Sequence, residues 1–181
     1  MLKMYKKNGG YIEYAECWVD NGIAVLHTGT VGDEGKTVET PDIGDAEEHE
    51  RGIGKQYGQK GYAEWPQDQL YWVVAQIPVE SVETGIRLVR PIEDELNNDL
   101  GWLGLGHVDG NDIGLSTEPG TQKFVINFFT LVVDKDKGCL AVRRTMQEKC
   151  GQKQVEIACR RYDEEGYTLA EPAEGKEAFW L

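Results

Sequence analysis

Residues 70–77 read LYWVVAQI, an almost unbroken run of apolar side chains with the length of one β-strand. A strand that is covered on both faces shows continuous hydrophobicity, whereas a strand with one wet face alternates apolar and polar residues. The run therefore predicts a buried central strand. The segments on either side of it decide which fold is built around that strand.

A helix is predicted directly after this strand. Ser81 is a suitable N-cap, and apolar residues follow at helical spacing: Val82, Ile86, Val89, Ile92 and Leu96. Pro91 lies within this pattern and removes one backbone donor, so a kink or a broken hydrogen-bond ladder is expected there. Residues 101–114 are rich in glycine and are expected to form a loop.

Two further apolar segments complete this half of the chain. Residues 124–133 predict a second buried strand, and Asp134 or Asp136 is placed to cap a second helix with Cys139 and Val142 on its apolar face. Residues 155–160 alternate apolar and polar side chains, which predicts a half-buried closing strand. The order strand, helix, strands, helix, strand over residues 69–165 predicts an α+β domain, a ferredoxin-like βαββαβ sandwich.

The N-terminal segment predicts a small antiparallel sheet followed by one helix. Strand patterns cover residues 11–19, 23–26 and 37–40, and the Asn21-Gly22 dipeptide joins the first two in a hairpin. A glycine-punctuated turn, residues 27–36, leads to the third strand. Asp45 is expected to cap the helix, which contains Gly52 and Gly54 and therefore needs packing on the sheet to be stable.

Residues 3–68 resemble the WGR domain, a small module named for a Trp-Gly-Arg motif and found in poly(ADP-ribose) polymerases and bacterial proteins. The resemblance rests on Thr28-Gly29-Thr30-Val31-Gly32, on Gly35-Lys36, and on Lys60-Gly61-Tyr62 after the helix. It implies a WGR-like antiparallel β unit with one helix over residues 1–68. In that family the Trp and Arg of the motif help to contact DNA and neighbouring domains, and here Thr28 and Thr30 occupy their positions. Because an Arg-to-Thr change removes a charge-assisted phosphate contact, the resemblance extends to architecture more than to DNA binding.

Residues 70–163 are similar to a bacterial ferredoxin-like family of unclear role, some of whose relatives accompany toxin and immunity loci. The similarity rests on a Gly-x-Val-Asp-Gly turn, here residues 106–110, before a central strand that ends in Asp134. It implies an immunity-related role. Residues 166–181 are expected to form a C-terminal tail, whose Phe179-Trp180-Leu181 end either folds back onto a groove of this chain or anchors a partner.

Composition narrows the classes of function. The 181 residues carry 19 Lys and Arg against 32 Asp and Glu, a formal net charge of −13, and the excess of acid is spread over both halves. A negative field opposes nucleic acid and favours a basic protein partner. No run approaches the roughly 20 apolar residues of a membrane span, and the first residues lack the apolar core of a secretory signal, so a cytoplasmic protein without membrane contact is expected.

The sequence contains no catalytic motif. The three histidines and four cysteines match no nucleophile elbow, no Cys-x-x-Cys pair and no disulfide framework, so the cysteines are expected to be reduced apolar filler. We therefore expect no enzyme activity, no catalytic residue, no cofactor and no metal.

Three groups of residues are candidates for binding. The first is acidic and is a candidate docking face for a basic protein: Glu39, Asp42, Asp45, Glu47, Glu48 and Glu50. The second belongs to the WGR-like loop: His27, Thr28, Gly29, Thr30 and Lys36. The third belongs to the glycine-rich loop and offers oxygen and nitrogen donors to a metal or small molecule: Trp102, His107, Asp109, Asn111 and Asp112. In the third group, a turn held by Asp109 and Asn111 explains the same residues without a ligand.

Three hypotheses of function remain. The first is a non-enzymatic acidic protein that binds a basic effector or toxin as an inhibitor or immunity-type partner. The second is a WGR-type nucleic-acid-binding or regulatory module, with phosphate contacts from Lys3, Lys6, Lys7 and Lys36. The third is a small-molecule or metal-binding domain at the glycine-rich loop. The sequence leaves the oligomeric state open.

Overall fold

The computed structural model describes residues 1–41, 43–170 and 176–181. The chain divides into two compact units, Met1–Pro66 with Trp102–Gly104, and Gln67–Gly101 with Leu105–Leu181. Each unit contains an antiparallel sheet and helical segments, so the α+β class is confirmed. The first unit thus includes three residues, Trp102–Gly104, that come from the glycine-rich stretch.

The first unit is built on a four-stranded sheet in the order β1-β2-β3-β4, in which every neighbouring pair is antiparallel. The strands are β1 (Leu2–Asn8), β2 (Tyr11–Asp20), β3 (Ile23–Thr30) and β4 (Lys36–Thr40). The hairpin at Asn21-Gly22 is confirmed, since both residues have positive φ angles, 50° and 80°, and Asp20 pairs with Ile23. The sequence did not predict β1, because its lysines interrupt the apolar pattern.

The helix of this unit, α1 (Ala46–Gln59), begins where it was predicted. The Asp45 carboxylate accepts a hydrogen bond of 2.7 Å from the backbone N–H of Glu48, which satisfies one of the unpaired donors of the first turn. None of the residues of α1 is fully buried. The helix approaches the sheet closely at Gly54, where an added Cβ would lie 3.3 Å from the side chain of Leu2.

The second unit is built on a five-stranded antiparallel sheet in the order β6-β7-β5-β8-β9. The strands are β5 (Tyr71–Val79), β6 (Gly106–Leu115), β7 (Phe124–Val132), β8 (Glu156–Arg161) and β9 (Thr168–Leu169). The predicted central strand is confirmed, because β5 pairs with β7 on one side and β8 on the other, and residues 73–77 are buried. The closing strand is confirmed as β8. A 3₁₀ turn, Gln67–Gln69, precedes β5.

The first helix of this unit, α2 (Val82–Trp102), is 21 residues long and continues through Pro91. The hydroxyl of Ser81 accepts from the backbone N–H of Thr84 at 3.2 Å, so the predicted cap is confirmed. The predicted stripe holds from Ile92 onward, whereas Val82 and Ile86 are exposed. Gly85, near the start of α2, lies close against the sheet. A Cβ added at this position would lie 3.2 Å from the side chain of Ile113.

The second helix, α3 (Lys135–Arg144), is capped by Asp134, whose carboxylate accepts from the backbone N–H of Lys137 at 3.0 Å. A π-helical turn, Thr145–Lys149, extends it. The expected glycine-rich loop is wrong for residues 106–114, which belong to the edge strand β6, with a bulge at Asp109. An edge strand needs a neighbour on one side alone, so small and polar residues that suggest a loop are tolerated there.

The described residues of the expected C-terminal tail, 166–170 and 176–181, belong to the second unit and pack against it. Residues Thr168–Leu169 pair with β8 as β9, and Lys176 forms ion pairs with Glu118 at 3.1 Å and Glu156 at 2.6 Å. The side-chain amide of Gln76 on β5 donates to the backbone carbonyl of Trp180 at 2.8 Å. Of the two alternatives for the tail, the structure shows the one in which it folds back onto its own chain.

Across the described residues, none of the helices has the length and apolar character that crossing a lipid bilayer requires.

Candidate functional site

The predicted acidic group is distributed over two neighbouring elements of the first unit. Glu39 is exposed on β4, and Asp45, Glu47 and Glu48 are exposed around the N-terminus of α1. Glu50 is partly engaged, since its carboxylate lies 3.2 Å from the N-terminal ammonium. Asp42 lies outside the described residues. The structure thus leaves four of these carboxylates facing solvent on the segment 39–48.

β4 is an open edge strand. All five of its residues are exposed, and 60% of the surface of Val38 is accessible. Within the described residues, β4 pairs with β3 on one side and with no strand on the other. The opposite edge of the sheet is different, because Tyr5 of β1 exchanges two backbone hydrogen bonds with Ala63, at 2.8 and 2.9 Å. An open edge offers unpaired backbone donors and acceptors to another strand.

His27, a candidate from the WGR-like loop, lies in a buried polar network on β2 and β3. Its Nδ1 lies 2.7 Å from Oε1 of Glu16, and its Nε2 lies 2.9 Å from the hydroxyl of Tyr14. The second carboxylate oxygen of Glu16 lies 2.9 Å from the ammonium of Lys3. Burial, followed by the charge of Glu16, raises the pKa of Tyr14. Every one of these polar atoms has a partner, as buried polar groups require.

The same network includes Trp102, a candidate from the glycine-rich stretch. Its indole ring packs edge-on against the imidazole of His27 with centroids 4.9 Å apart, and its backbone carbonyl accepts from the Tyr14 hydroxyl at 3.2 Å. Trp102 therefore belongs to the first unit, whereas the other members of its predicted group belong to the second. Because its polar atoms are buried and paired with one another, we assign this network to the stability of the first unit.

The remaining WGR-loop candidates lie on strands instead of in a turn. Thr28, Gly29 and Thr30 belong to β3, and Lys36 begins β4. The glycine of the motif has a steric role, because a Cβ at Gly29 would lie 2.9 Å from both the Cα of Gly35 and the Tyr14 hydroxyl. Sequence reasoning missed Tyr14 and Glu16, although the Asn21-Gly22 hairpin sets the register that places Glu16 opposite His27.

The other candidates of the glycine-rich stretch do not converge. The side-chain amide of Asn111 donates to Glu93 at 2.7 Å, Asp112 accepts from Asn127 at 2.7 Å, and Asp109 occupies the bulge of β6. In the part of the chain that the structure describes, no three His, Cys, Asp or Glu side chains come together as a metal site would need. Among the described residues, His107, Asp109 and Asp112 therefore do not form such a group.

Three lysines of the first unit lie over aromatic rings. The ammonium of Lys7 is 4.8 Å from the centre of the Trp65 ring, and that of Lys60 is 4.3 Å from the centre of the Tyr57 ring. Lys6 lies 5.7 Å from the ring of Tyr62. Cation–π contacts of this kind hold positive charges beside flat apolar surfaces. Lys3 was also expected to contact phosphate, but in the structure it forms an ion pair with Glu16.

A cavity of about 570 Å³ in the second unit brings two cysteines together. Cys139 comes from α3 and Cys159 from β8, and their side chains are close enough for each thiol to shift the pKa of the other. The cavity has more cationic than anionic residues: Lys135, Arg143, Arg160 and Arg161 against Asp136 and Glu164. Cys139 is only partly buried, and it lines this cavity together with Cys159.

The two thiols differ in acidity. The hydrogen bond from Cys139 lowers the pKa of Cys159 to about 7, against the opposing effect of burial, and the charge of Lys135 lowers it further. That hydrogen bond, with burial, raises the pKa of Cys139. The interaction of the two thiols thus favours the thiolate form at Cys159 and the thiol form at Cys139. Sequence reasoning missed the pair because its members come from a helix and a strand that meet only in the folded unit.

Comparison with known protein families, curated proteins and solved structures finds no match for this chain.

Proposed function

We propose that this protein is a non-enzymatic binding protein that docks a basic segment of a partner protein along β4. The observation that carries the proposal is an open edge strand whose five residues are all exposed, next to acidic residues. In this proposal the partner is a basic effector, and the protein acts as its inhibitor or immunity-type partner.

Backbone and side-chain chemistry both support a strand as the occupant. The outer edge of β4 presents backbone groups to an extended segment, and Val38 offers an apolar contact in the middle of the strand. Natural edge strands are commonly blunted by lysine, proline or bulges. β4 has one lysine, Lys36, at its first position, and no proline, so most of its length is open to pairing.

Charge supports a basic occupant. Asp33 and Glu34 precede β4, Glu39 lies on it, and Asp45, Glu47 and Glu48 follow it. This local excess of negative charge has the same sign as the net charge of −13, so the field of the whole chain also attracts a cationic partner. Complementary charge of this kind accelerates association and discriminates against acidic partners.

The proposal includes the finer description of the two units. We propose that the second unit is ferredoxin-like, which is supported by its β5-α2-β6-β7-α3-β8 sequence and its β6-β7-β5-β8 strand order. We propose that the first unit is WGR-like, which is supported by the close approach of Gly29 and Gly35 in the β3–β4 hairpin.

The test uses a fluorescein-labelled peptide of alternating lysine and valine residues, titrated with the full chain at low salt. We expect binding that weakens with salt and backbone amide shift changes confined to β4 and the first turn of α1. Reversing three charges, Glu39→Lys, Glu47→Lys and Glu48→Lys, is expected to weaken binding at least tenfold.

The matched control reverses three exposed acids of the second unit, Glu80→Lys, Glu165→Lys and Glu177→Lys, which changes the net charge by the same amount. We expect a much smaller loss of affinity from this control. Equal losses in the two variants, or shift changes away from β4, would contradict the proposed surface.

The lysine–aromatic contacts support a second candidate function, the binding of single-stranded nucleic acid. Lys6, Lys7 and Lys60 lie over Tyr62, Trp65 and Tyr57, and such groups combine phosphate contacts with stacking platforms for bases. The test is anisotropy of a labelled 20-nucleotide single strand at several salt concentrations. Binding that is lost in Lys6→Gln and Lys7→Gln but kept in Lys123→Gln and Lys153→Gln supports this candidate, and absence of binding at low salt refutes it.

A further inference from the structure

The cysteine cavity of the second unit carries an inference separate from the docking surface on β4. Two thiols from different elements line one cavity of about 570 Å³ and are close enough for each to shift the pKa of the other. The other two cysteines differ from this pair. Cys17 is buried in the first unit, and Cys150 follows the π-helical turn after α3 and is absent from the lining of the cavity.

We propose that Cys139 and Cys159 form a peroxide-sensitive dithiol, which closes to a disulfide between α3 and β8 and is reopened by a thiol reductant. Cys159 is the attacking sulfur and Cys139 the resolving sulfur. This assignment is supported by the mutual interaction of the two thiols, which lowers the pKa of Cys159 and raises that of Cys139.

The environment of the pair favours the thiolate that such chemistry needs. Thiolates, not thiols, attack peroxides, and neighbouring cations stabilise them. Lys135, Arg143, Arg160 and Arg161 line the cavity, and among them the charge of Lys135 lowers the pKa of Cys159, while Asp136, 3.7 Å from Lys135, opposes this effect. Asp136 and Glu164 are the acidic groups of the lining, and Tyr71 of β5 adds a phenol.

The reaction balances with the peroxide as oxidant. The Cys159 thiolate attacks one oxygen of hydrogen peroxide, the S–O bond forms as the O–O bond breaks, and the departing hydroxide takes up a proton to leave as water. The Cys139 sulfur then attacks the sulfenic sulfur of Cys159, the S–S bond forms, and the sulfenic oxygen leaves as a second water. The two thiols together lose two electrons and two protons, and one peroxide becomes two waters.

The disulfide links helix α3 covalently to β8, the strand that neighbours the edge strand β9. In the reduced form, α3 and β8 are held by packing, and β8 in turn carries β9 through the pairs Ala158–Leu169 and Cys159–Thr168. A disulfide at Cys159 fixes the strand that anchors β9. We therefore expect slower amide exchange in α3, β8 and β9 after oxidation.

The first experiment treats the full chain with a small excess of hydrogen peroxide at pH 7.5, blocks remaining thiols, and maps peptides by mass spectrometry without reduction. We expect one intramolecular link, between the peptides that contain Cys139 and Cys159, which dithiothreitol reverses. Cys150→Ser is the matched control and is expected to form the same link at the same rate. Absence of the link, or a link that involves Cys17 or Cys150 instead, overturns the proposal.

The second experiment assigns the roles of the two sulfurs. In Cys139→Ser we expect Cys159 to accumulate as a sulfenic acid that dimedone traps, and in Cys159→Ser we expect the reaction of Cys139 with peroxide to fall at least tenfold. Lys135→Gln is expected to slow formation of the disulfide by about threefold, since it removes a cation that favours the thiolate. Equal dimedone labelling of the two serine variants overturns the assignment of the attacking sulfur. Amide exchange in the reduced variants reports whether each is folded, and the link in the wild-type chain tests the proposal independently of them.

Discussion

The Nδ1 atom of His27 lies 2.7 Å from Oε1 of Glu16, on neighbouring strands of the first unit where both residues are buried. The hairpin register places the two residues directly opposite each other. Lys3 contacts Glu16, and Tyr14 contacts His27, so the four side chains form one continuous series of polar contacts. A small sheet with a limited apolar core thus depends on a satisfied polar network for part of its stability.

We expect Glu16→Gln to destabilise the first unit by about 1–3 kcal/mol, because it removes the anion that faces both Lys3 and His27. The measurement is amide exchange of peptides from β2 and β3, which we expect to speed up while peptides of the second unit are unchanged. Glu39→Gln, the same change at an exposed site on β4, is the control. Unchanged protection in Glu16→Gln would show that the network contributes little.

We expect Gly35→Ala to destabilise the first unit more strongly than Gly10→Ala. An added Cβ at Gly35 would lie 2.2 Å from the Tyr14 hydroxyl and 2.5 Å from His27 Nε2, so the network or the hairpin must shift to accommodate it. Gly10 has no atom within 4 Å of the same position. The midpoints of urea unfolding, followed through the amides of β2 and β3, test this expectation. Similar midpoints for the two variants would mean that the hairpin yields at low cost.

We expect the C-terminal tail to loosen at high pH. Burial alone would lower the pKa of Lys176, but its hydrogen bonds with Glu156 and Glu118 outweigh burial and raise that pKa. The folded pKa exceeds the unfolded one, so this stabilisation is complete below the unfolded value of 10.5 and is lost as pH rises through the folded value.

The measurement for the tail is protection of residues 176–181 from amide exchange at neutral pH in Lys176→Gln, which mimics loss of the charge. We expect faster exchange there than in Lys153→Gln, whose lysine lines the same region but has an exposed side chain. Equal protection in the two variants would mean that other contacts hold the tail in place, such as the hydrogen bond from Gln76 to Trp180.

We expect Cys159 to alkylate at lower pH than the other cysteines. Its pKa is lowered to about 7 by the hydrogen bond from Cys139, whereas burial raises the pKa of Cys17 and Cys150. The measurement is the rate of iodoacetamide labelling of each cysteine-containing peptide between pH 5 and pH 9. In Cys139→Ser the midpoint for Cys159 is expected to change. A midpoint for Cys159 at or above that of Cys150 would contradict the hydrogen-bonded arrangement.

The elements that the sequence predicts well are those whose residues are buried on both faces or capped by a side chain. The runs that became β5 and β7, and the caps at Ser81, Asp45 and Asp134, are local signals that the fold preserves. β1 and β6 were missed because edge strands tolerate lysine, glycine and aspartate, which in a sequence indicate loops. The placement of Trp102 in the first unit depends on contacts between distant parts of the chain.

The sequence likewise reveals some features of the candidate sites, while others become visible only in the folded chain. The acidic residues before and at the start of α1 are visible in the sequence as charge, but the exposure of β4 beside them follows from its position at the edge of the sheet. The partnership of Glu16 with His27 follows from a hairpin register that the Asn21-Gly22 turn already specifies. The proximity of Cys139 and Cys159 does not follow from any local signal, because nothing in the sequence relates position 139 of a helix to position 159 of a strand.

The hydrogen bond from Gln76 to Trp180 joins β5 to the far end of the chain, 104 residues away in sequence. Closing so long a loop carries an entropic cost of roughly 4 kcal/mol, from 1.5RT times the logarithm of loop length. Only a small part of that entropic cost remains once the sheet has formed, because the paired strands already hold most of the intervening chain in place. The tail is therefore expected to be the last part of the second unit to fold and the first to detach, so that a protease would trim it before cutting the sheet.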